Sequence, residues 1–315
     1  MSTSKLGRTL VIANPAARNG RGAQGAEFVR RFLDTYEAAT DGFEVRLTDG
    51  PGHATEMARA ATGFSTVVAL GGDGVIHEVV NGLMKIGPKL RPRLGIIPLG
   101  SGNDFARTLH IERDAPEASL GQLLKGRPRS LDLGLVNGTY YCQTLSFGLD
   151  AAIAIGTMSS RTEGGTHGAR LYVNEGIRIF TQNLRDYAYH GTFDGTPVDG
   201  ASVVFALQVG PTYGGGFDVC PSADPTDGLL DVCRSVRTPS VATTLSLFAR
   251  ARFGQHTGSD VLEFGQVRHA VLDFDEEPPC QADGEELVNT HFDVRSVPTA
   301  LDVIVPASFA YSATS

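Results

Sequence analysis

Short apolar runs alternate with helical periodicity through the first third of the chain. "TLVIAN" (Thr9 to Asn14) predicts a buried strand, and "GAEFVRRFLDTYEAA" places Phe28, Phe32 and Tyr36 on one face of a helix. Further strands are predicted at "FEVRLT", "STVVAL" and "RLGIIPL", and further helices at "ATEMARAA" and "VIHEVVNGLM". This alternation predicts an α/β domain in which helices cover both faces of a parallel sheet.

The pattern changes after about Asp132. Strand-like segments then dominate: "SLDLGLV", "TYYCQTLSFG", "SVVFALQVG", "LLDVCRSV", "HAVLDFD" and "ALDVIVP". Helical periodicity returns at about Arg170 to Asn183 and Pro239 to Phe253, and "TEGGTHG" (Thr162 to Gly168) predicts a mobile loop. We expect an α/β domain over residues 1–134 and a β-rich domain over 135–315, whose last residues can pack back on the first domain.

Composition and charge argue against several classes of function. A formal charge of -8 argues against a nucleic-acid binder, which needs a basic face, and restricts any membrane contact to a local patch. The four cysteines form no C-x-x-C pair, so they are expected to be buried free thiols. No apolar run is long enough for a signal peptide or a membrane span, which predicts a cytoplasmic protein.

Three glycine-bearing loops follow predicted strands of the first domain. They are "NPAARNGRG" (Asn14 to Gly22), "GGDG" (Gly71 to Gly74) and "PLGSGNDFAR" (Pro98 to Arg107). Loops that follow parallel strands meet at one sheet edge, and glycine lets backbone N–H groups approach a ligand. One such turn alone is more often a tight turn, and Asp73 alone could be a helix N-cap. Three together predict a phosphate cradle at the helix N-termini.

Two common nucleotide motifs do not explain these loops. The P-loop sequence G-x-x-x-x-G-K-[ST] does not occur. A G-x-G-x-x-G match spans Gly20 to Gly25, with Asp49 where a ribose-binding acid would belong. Because Pro15 to Asn19 separate its first glycine from the strand end, this match is weak.

The loops resemble those of the diacylglycerol kinase catalytic-domain family, which includes sphingosine and ceramide kinases and bacterial lipid kinases. "NPAARNGRG", "GGDGVIHEVVNGL" and "IPLGSGNDFAR" are similar to three family blocks, and "YGGGFDVCPSADPTDGLLDV" and "CQADGEEL" to two signatures of its second domain. The resemblance implies a Rossmann-like α/β domain followed by a β-sandwich-like domain, with the active site in the cleft between them. It also implies ATP as donor, Mg2+ as cofactor and a lipid hydroxyl as acceptor.

The resemblance also implies site residues. The nucleotide would be contacted by Asn14, Pro15, Ala16, Ala17, Arg18 and Thr48. The phosphates would be bound by Gly72, Asp73, Gly74, Val75, Ile76, His77 and Glu78, and the pocket completed by Ser101, Asn103 and Asp104. Asp73 would hold Mg2+ or orient the γ-phosphate. A structural Mg2+ would bind Asp227 with the backbone of Asp224 and Leu229, although "DPTDG" could equally be an acidic turn.

The proton acceptor has several candidates. Asp283 and Glu285, at i and i+2, would share one face if "DGE" is a strand, and two close carboxylates can raise one pKa into a useful range. Glu285 is the preferred base, with Asp283 supporting it, and Asp73 is the competing candidate by resemblance. Alternatively, the "DGE" segment is a solvated turn without a catalytic role. Val75 and Ser101 stand where the family usually has threonine, and the backbone cradle does not depend on either side chain.

The sequence gives fewer signals for the part of the protein that would meet the lipid acceptor. "SVATTLSLFARARFG" puts Val241, Leu245, Phe248 and Arg252 on one helical stripe, which suits either core packing or peripheral contact with a membrane. The expected partner is a lipid substrate at a membrane surface, and a homodimer is compatible with the sequence. An NAD kinase-like enzyme and a catalytically silent nucleotide- or lipid-binding module are the alternatives to a lipid kinase such as a diacylglycerol kinase.

Overall fold

The structure is a computed structural model that describes residues 5–162, 180 and 184–311. These residues form two compact units, one within Met1–Leu133 and Pro298–Ser315 and the other within Gly134–Val297. The predicted loop at Thr162 to Gly168 and the predicted helix at Arg170 to Asn183 lie outside the described residues, apart from Thr162 and Phe180. In the described part of the chain, no helix is long and apolar enough to cross a membrane.

A parallel sheet forms the centre of the first unit, as the β-α alternation predicts. Its strands β1 to β4 are Thr9–Ala13, Phe43–Leu47, Thr66–Gly71 and Arg93–Pro98. They lie in the order β2-β1-β3-β4, so all four end at the same sheet edge. β1 and β3 are buried throughout, which explains their continuous apolar sequences.

Helices cover both faces of this sheet. The helices α1 to α5 are Ala17–Thr35, His53–Arg59, Asp73–Leu83, Asp104–Thr108 and Pro116–Lys125, with short 3-10 turns at Glu37–Ala39 and Pro88–Leu90. α1 and α5 pack together through Val29, Leu33 and Leu123 against one face, while α2 and α3 pack together against β1 and β3. Phe28, Phe32 and Tyr36 share a face of α1 as predicted, but Tyr36 is 58% exposed, so this aromatic row lies at the rim of the core.

The second unit is built mainly from antiparallel strands. β5 (Arg127–Val136) leads into it, and a helix, α6, spans Leu149–Thr162. The remaining strands, β6 to β18, are Thr139–Tyr141, Thr144–Gly148, Tyr187–Phe193, Thr196–Ser202, Val204–Gln208, Thr212–Tyr213, Phe217–Asp218, Leu230–Ser235, Leu262–Val267, His269–Phe274, Cys280–Ala282, Glu285–Glu286 and His291–Val305. A further helix, α7, spans Val241–Ala251, inside the range that the sequence predicts.

These strands form a β-sandwich-like core. One layer has the order β14-β13-β10-β7-β16-β17, and the other pairs β9, β8, β15 and β18. Phe147 and Phe205 from the first layer meet Phe274 and Phe292 from the second, and the rings of Phe147 and Phe292 lie 4.8 Å apart. All four cysteines are buried free thiols, as predicted. β18 continues past Pro298 into the first unit, where Val303 pairs with Leu94 of β4.

Candidate active site

The turn between β3 and α3 presents backbone N–H groups at the end of the sheet. β3 ends at Gly71, and α3 begins at Asp73. Ile76 N donates to Gly72 O at 3.2 Å, so the amides of Gly74 and Val75 precede this first hydrogen bond of the helix. N–H groups at this position, together with the helix dipole, favour an anion such as phosphate.

Two glycines bring the turns after β3 and β4 into direct backbone contact. A Cβ placed on Gly100 would lie 2.4 Å from Gly72 Cα, and a Cβ on Gly72 would lie 3.1 Å from Gly100 Cα. Leu99 N also donates to Gly71 O at 2.7 Å. The second and third predicted loops therefore form one continuous backbone surface, in which position 100 has no room for a side chain and position 72 has little.

Asp73 and Asn103 hold these turns together. The Asp73 carboxylate accepts hydrogen bonds from Asn103 N at 2.7 Å and Asp104 N at 2.9 Å, at the start of α4. Asn103, with φ of 53° and only 2% exposed, uses its amide to accept from Gly100 N and donate to Gly100 O. Both side chains thus fix the backbone of the pocket, while the predicted Mg2+ role of Asp73 stays a prediction.

The loop after β1 reaches the same place. Asn14 Oδ1 accepts from Ala16 N at 2.9 Å, which closes a local turn around Pro15. Helical geometry is interrupted at Arg18, where the Nε group donates to Gly100 O at 3.0 Å and the guanidinium forms an ion pair with Asp114. Arg18 therefore links the first loop to the turn after β4.

Two more positions lie at the same sheet edge. Thr48, after β2, donates its backbone N–H to Ala13 O at 2.9 Å, which brings the end of β2 beside the end of β1. A Cβ on Gly22 would lie only 1.9 Å from Asn14 O, because the backbone of α1 passes directly over this strand end. The sequence-predicted nucleotide residues of the first loop, including Ala17, lie together with Thr48 at one sheet edge.

The phosphate-binding block contributes mainly its backbone. The side chains of Val75, Ile76 and His77 are buried, at 8%, 1% and 7% exposed, and Val75 packs on Gly71. The Glu78 carboxylate accepts from Gly52 N at 2.9 Å and Ala54 N at 3.0 Å, so it holds the start of α2. The side chain of Glu78 therefore has a positioning role, and the exposed Ser101 is the hydroxyl that remains available on the turn after β4.

The arrangement expected for Asp283 and Glu285 is wrong. These residues do not lie on one strand, because Asp283 and Gly284 form a two-residue hairpin turn, with φ of 51° and 96°. Ala282 of β16 pairs with Glu285 of β17 across this turn. Asp-Gly is the dipeptide that favours such a turn, since both central residues need positive φ.

Asp283 binds backbone instead of sharing a site with Glu285. Its carboxylate accepts hydrogen bonds from Cys142 N at 2.6 Å, Gln143 N at 2.9 Å and Thr144 N at 3.1 Å. These contacts anchor the hairpin to the segment that enters β7. Glu285 is exposed, so it remains the accessible carboxylate of this pair.

The predicted structural metal position is an acidic turn with an additional carboxylate. Asp227 Oδ1 accepts from Leu229 N at 2.9 Å, and Gln266 Nε2 lies 3.3 Å from both Asp227 and Asp231. Burial, with the charges of Asp227 and Asp224 adding to it, raises the pKa of Asp231 to about 6. The pKa of Asp227 is also raised, mainly by burial and then by Asp224.

This turn fits a cation that also binds backbone carbonyls. Burial is the main cause of these raised pKa values, and a positive ion would offset it together with the smaller repulsion between the carboxylates. Among the described residues, no group of three or more His, Cys, Asp or Glu side chains could hold a metal by itself. The resemblance assigns Mg2+ to Asp227 with the backbone of Asp224 and Leu229, and this assignment stays a prediction.

The sequence reasoning missed a buried carboxylate in the second unit. Asp150, at the start of α6, is 4% exposed and accepts a hydrogen bond from the Tyr213 hydroxyl. Burial raises its pKa to about 6, while that hydrogen bond acts in the opposite direction. The signal in the sequence is an acid placed inside the apolar run "SFGLDAAIA".

Other buried polar residues lie on the face of the six-stranded sheet that points away from the sandwich core. Thr144 of β7 is directly opposite Gln208 of β10, and both are buried. Within the described chain, neither amide atom of Gln208 has a hydrogen-bond partner. Buried and unpaired amides are costly, so this face is a place where the fold gives up stability.

Comparison with known proteins agrees with this geometry. Residues 8–136 match the family model of the diacylglycerol kinase catalytic domain, and residues 143–305 match that of the YegS C-terminal NAD kinase beta sandwich-like domain. A "Probable lipid kinase YegS-like" protein of Chromohalobacter salexigens is 32% identical over 296 residues, covering 93% of each chain. A "Diacylglycerol kinase" of Bacillus subtilis is 27% identical over 284 residues, covering 88% of this chain and 89% of its own.

The fold is also similar to that of solved structures. A crystal structure of a diacylglycerol kinase from Bacillus anthracis superposes with a TM-score of 0.76 at 21% identity, covering 98% of this chain and 100% of that one. The two domain matches cover most of the chain in the order that its loops and signatures predict. The chain therefore belongs to the diacylglycerol kinase catalytic-domain family of lipid kinases.

Proposed function

We propose that this protein transfers the γ-phosphoryl group of ATP to the hydroxyl of a lipid such as diacylglycerol. The observation that carries the proposal is the joined backbone surface at Gly72 and Gly100, beside the N-terminus of α3. Phosphoryl transfer depends on positioning and charge neutralisation more than on covalent chemistry by the protein, and this surface suits both. The names of the relatives support a lipid as the acceptor.

The nucleotide would lie along the carboxyl ends of β1, β3 and β4. In this proposal the amides of Gly74 and Val75 bind phosphate oxygens, and the hydroxyl of Ser101 adds a side-chain donor. Arg18 holds the first loop against Gly100, so its main role is to fix the pocket wall. Because the phosphate contacts are backbone groups, valine at position 75 does not remove them.

The first unit also fits a divalent cation. A Cβ on Gly102 would lie 2.8 Å from Asp73 Oδ2 and 3.1 Å from Asp104 Oδ2, so both carboxylates border the same space. Oxygen ligands of this kind are those that Mg2+ prefers. Asp73 and Asp104 are therefore the residues that would hold it, and the ion would neutralise charge on the transferred phosphoryl group.

The proposed proton acceptor is Glu285. Its side chain is exposed, whereas the Asp283 carboxylate is occupied by three backbone amides and the Asp73 carboxylate by two. A general base has to reach the acceptor hydroxyl within hydrogen-bond distance, and an exposed carboxylate is free to do so. Asp283 then acts as a positioning residue that fixes the hairpin carrying Glu285.

The direct test is an assay of the purified protein with labelled ATP and Mg2+ against a panel of acceptors. The panel contains diacylglycerol, a sphingoid base, phosphatidylglycerol, an undecaprenol-like alcohol and NAD. We expect label in a lipid product, with diacylglycerol as an accepted substrate. Label in NAD alone would replace the lipid kinase by the NAD kinase-like alternative. ATP binding without transfer to any acceptor would support a silent binding module instead.

A further inference from the structure

Exposed apolar side chains are concentrated in one segment of the second unit. In the described part of the chain, eight large hydrophobic side chains are exposed, and four of them lie between Val236 and Phe253. They are Val236 at 47%, Val241 at 51%, Leu245 at 56% and Phe253 at 72% exposed. We call these four residues the exposed stripe. Single exposed apolar residues are ordinary, whereas a cluster of this kind marks a binding surface.

The helix α7 packs along Thr244, Phe248 and Ala251, which adjoin the exposed side chains of Val241 and Leu245 on the helix surface. Thr244 and Ala251 are buried at 3% and 7% exposed, and the ring of Phe248 meets that of Phe217 edge-on at 6.4 Å. Val241 and Leu245, at i and i+4, lie on the outward side of the same helix. The apolar stripe of α7 is therefore packed at Phe248, while Val241 and Leu245 on the same stripe are exposed in the described chain.

Arginines are frequent in the segment that carries the exposed stripe. From Val232 to Ser259 the sequence contains four arginines and no aspartate or glutamate, although the whole chain has a formal charge of -8. Arg237, Arg250 and Arg252 are exposed. Arg250 Nε donates to Gln255 O at 2.8 Å, Arg237 pairs with Asp260, and Arg252 donates to Gly216 O with its guanidinium 5.8 Å from the Phe217 ring centroid. Each guanidinium has five N–H donors and retains others.

We propose that the exposed stripe docks on an anionic lipid surface, with Arg237, Arg250 and Arg252 at its rim contacting lipid phosphates. Apolar side chains beside arginines match the interfacial region of an anionic bilayer, which is apolar below and negatively charged above. The run of four arginines without an intervening acid favours an anionic surface over a zwitterionic one. The inference extends the proposed function, because a lipid kinase has to meet its acceptor at a membrane.

The test measures sedimentation of the full chain with phosphatidylcholine vesicles that contain or lack phosphatidylglycerol, without nucleotide. The wild type should bind the anionic vesicles and release as salt is raised. Leu245→Gln and Phe253→Ser should each lower the partition coefficient about three- to tenfold, because each removes a half-exposed apolar side chain that the bilayer would bury. Leu90→Gln is the matched control, since Leu90 is 65% exposed in the first unit, and it should bind like the wild type.

Several outcomes would overturn the proposal. Wild-type protein that stays in the supernatant with anionic vesicles has no such docking surface, and an equal loss in Leu90→Gln shows that the exposed stripe is not its location. A wild-type dimer that becomes a monomer in Leu245→Gln, by sedimentation velocity, assigns the exposed stripe to a second copy of the chain. Because binding is measured without ATP, vesicle binding by a protein that phosphorylates no lipid would refute the proposed function and leave the docking surface standing.

Discussion

Replacing Asp283 with asparagine separates a structural from a catalytic role for the "DGE" segment. Asp283 Oδ1 accepts hydrogen bonds from Gln143 N and Thr144 N, and Oδ2 accepts from Cys142 N. An asparagine can keep the first oxygen in place. Its NH2 group would then face the Cys142 N–H, so two donors would meet where a donor and an acceptor met before.

The size of the effect follows from these contacts. A hydrogen bond to a charged group contributes about 1.5–3 kcal/mol, and the substitution removes one and weakens the other two by removing the charge. We therefore expect Asp283→Asn to lower the free energy of unfolding by about 2–4 kcal/mol. Turnover per folded molecule should fall far less than in Glu285→Gln, because the Asp283 carboxylate is occupied by backbone and acts only by holding the hairpin.

The assay combines urea unfolding with initial rates measured at a temperature where the variant is folded. Glu285→Gln is the matched control two residues away: its exposed side chain should change stability by less than about 0.5 kcal/mol, while turnover falls by about 100-fold or more. If Asp283→Asn unfolded at the wild-type urea concentration and lost turnover, Asp283 would be catalytic. If Glu285→Gln kept full turnover, Glu285 would not be the base.

Three further predictions follow from the same structure. Burial raises the Asp150 pKa from 3.8 to about 6, so the stability that protonated Asp150 contributes is full below pH 3.8 and is lost as pH rises through 6. Asp150→Asn should therefore raise the free energy of unfolding by up to about 3 kcal/mol at pH 8 but not near pH 3. An equal gain at both pH values would contradict this. Asp73→Asn should weaken Mg-ATP binding in calorimetry, and unchanged affinity would reject its assignment to Mg2+. Gly100→Ala should lower the free energy of unfolding by about 1–3 kcal/mol and reduce ATP affinity, because the alanine Cβ would collide with Gly72. Gly121→Ala is the control: this position in α5 faces open space, so the variant should lose neither stability nor ATP affinity.

The sequence was most informative where the fold repeats a simple period. Strand and helix periods differ, so the alternation predicted β1 to β4 in a parallel sheet. Parallel strands place their following loops at one edge, which was enough to bring Asn14, Gly72 and Gly100 together without knowledge of any side-chain contact. These statements depend on local patterns only.

The contacts that the sequence did not predict join residues far apart in the chain. The Asp283 carboxylate binds an amide 141 positions earlier, and Glu78 binds one 26 positions earlier. No period encodes such pairs, because either carboxylate could equally point into solvent. The hairpin at Asp283 is different, since Asp-Gly favours a two-residue turn, and the expectation of a shared strand face gave that local signal too little weight.

The helix α7 shows a second limit of prediction from the sequence. Its amphipathic sequence suited either core packing or membrane contact, because a pattern shows that a helix has an apolar side but not what covers it. In the structure Phe217 covers the apolar stripe at Phe248, and Val241 and Leu245 on the same stripe are exposed. The residue that covers Phe248 belongs to β12, a strand that the sequence pattern did not predict.

The path of β18 has a practical consequence for dividing this protein into parts. The first unit draws its last strand from the far end of the chain: Val303 pairs with Leu94, Arg91 donates to Ala300 O, and Ile304 is part of its core. A fragment that stops at residue 133 would lose that strand and leave one edge of its sheet open to pairing with other molecules. A soluble nucleotide-binding fragment would need residues 298–311 joined back to it, through a linker or a circular permutation.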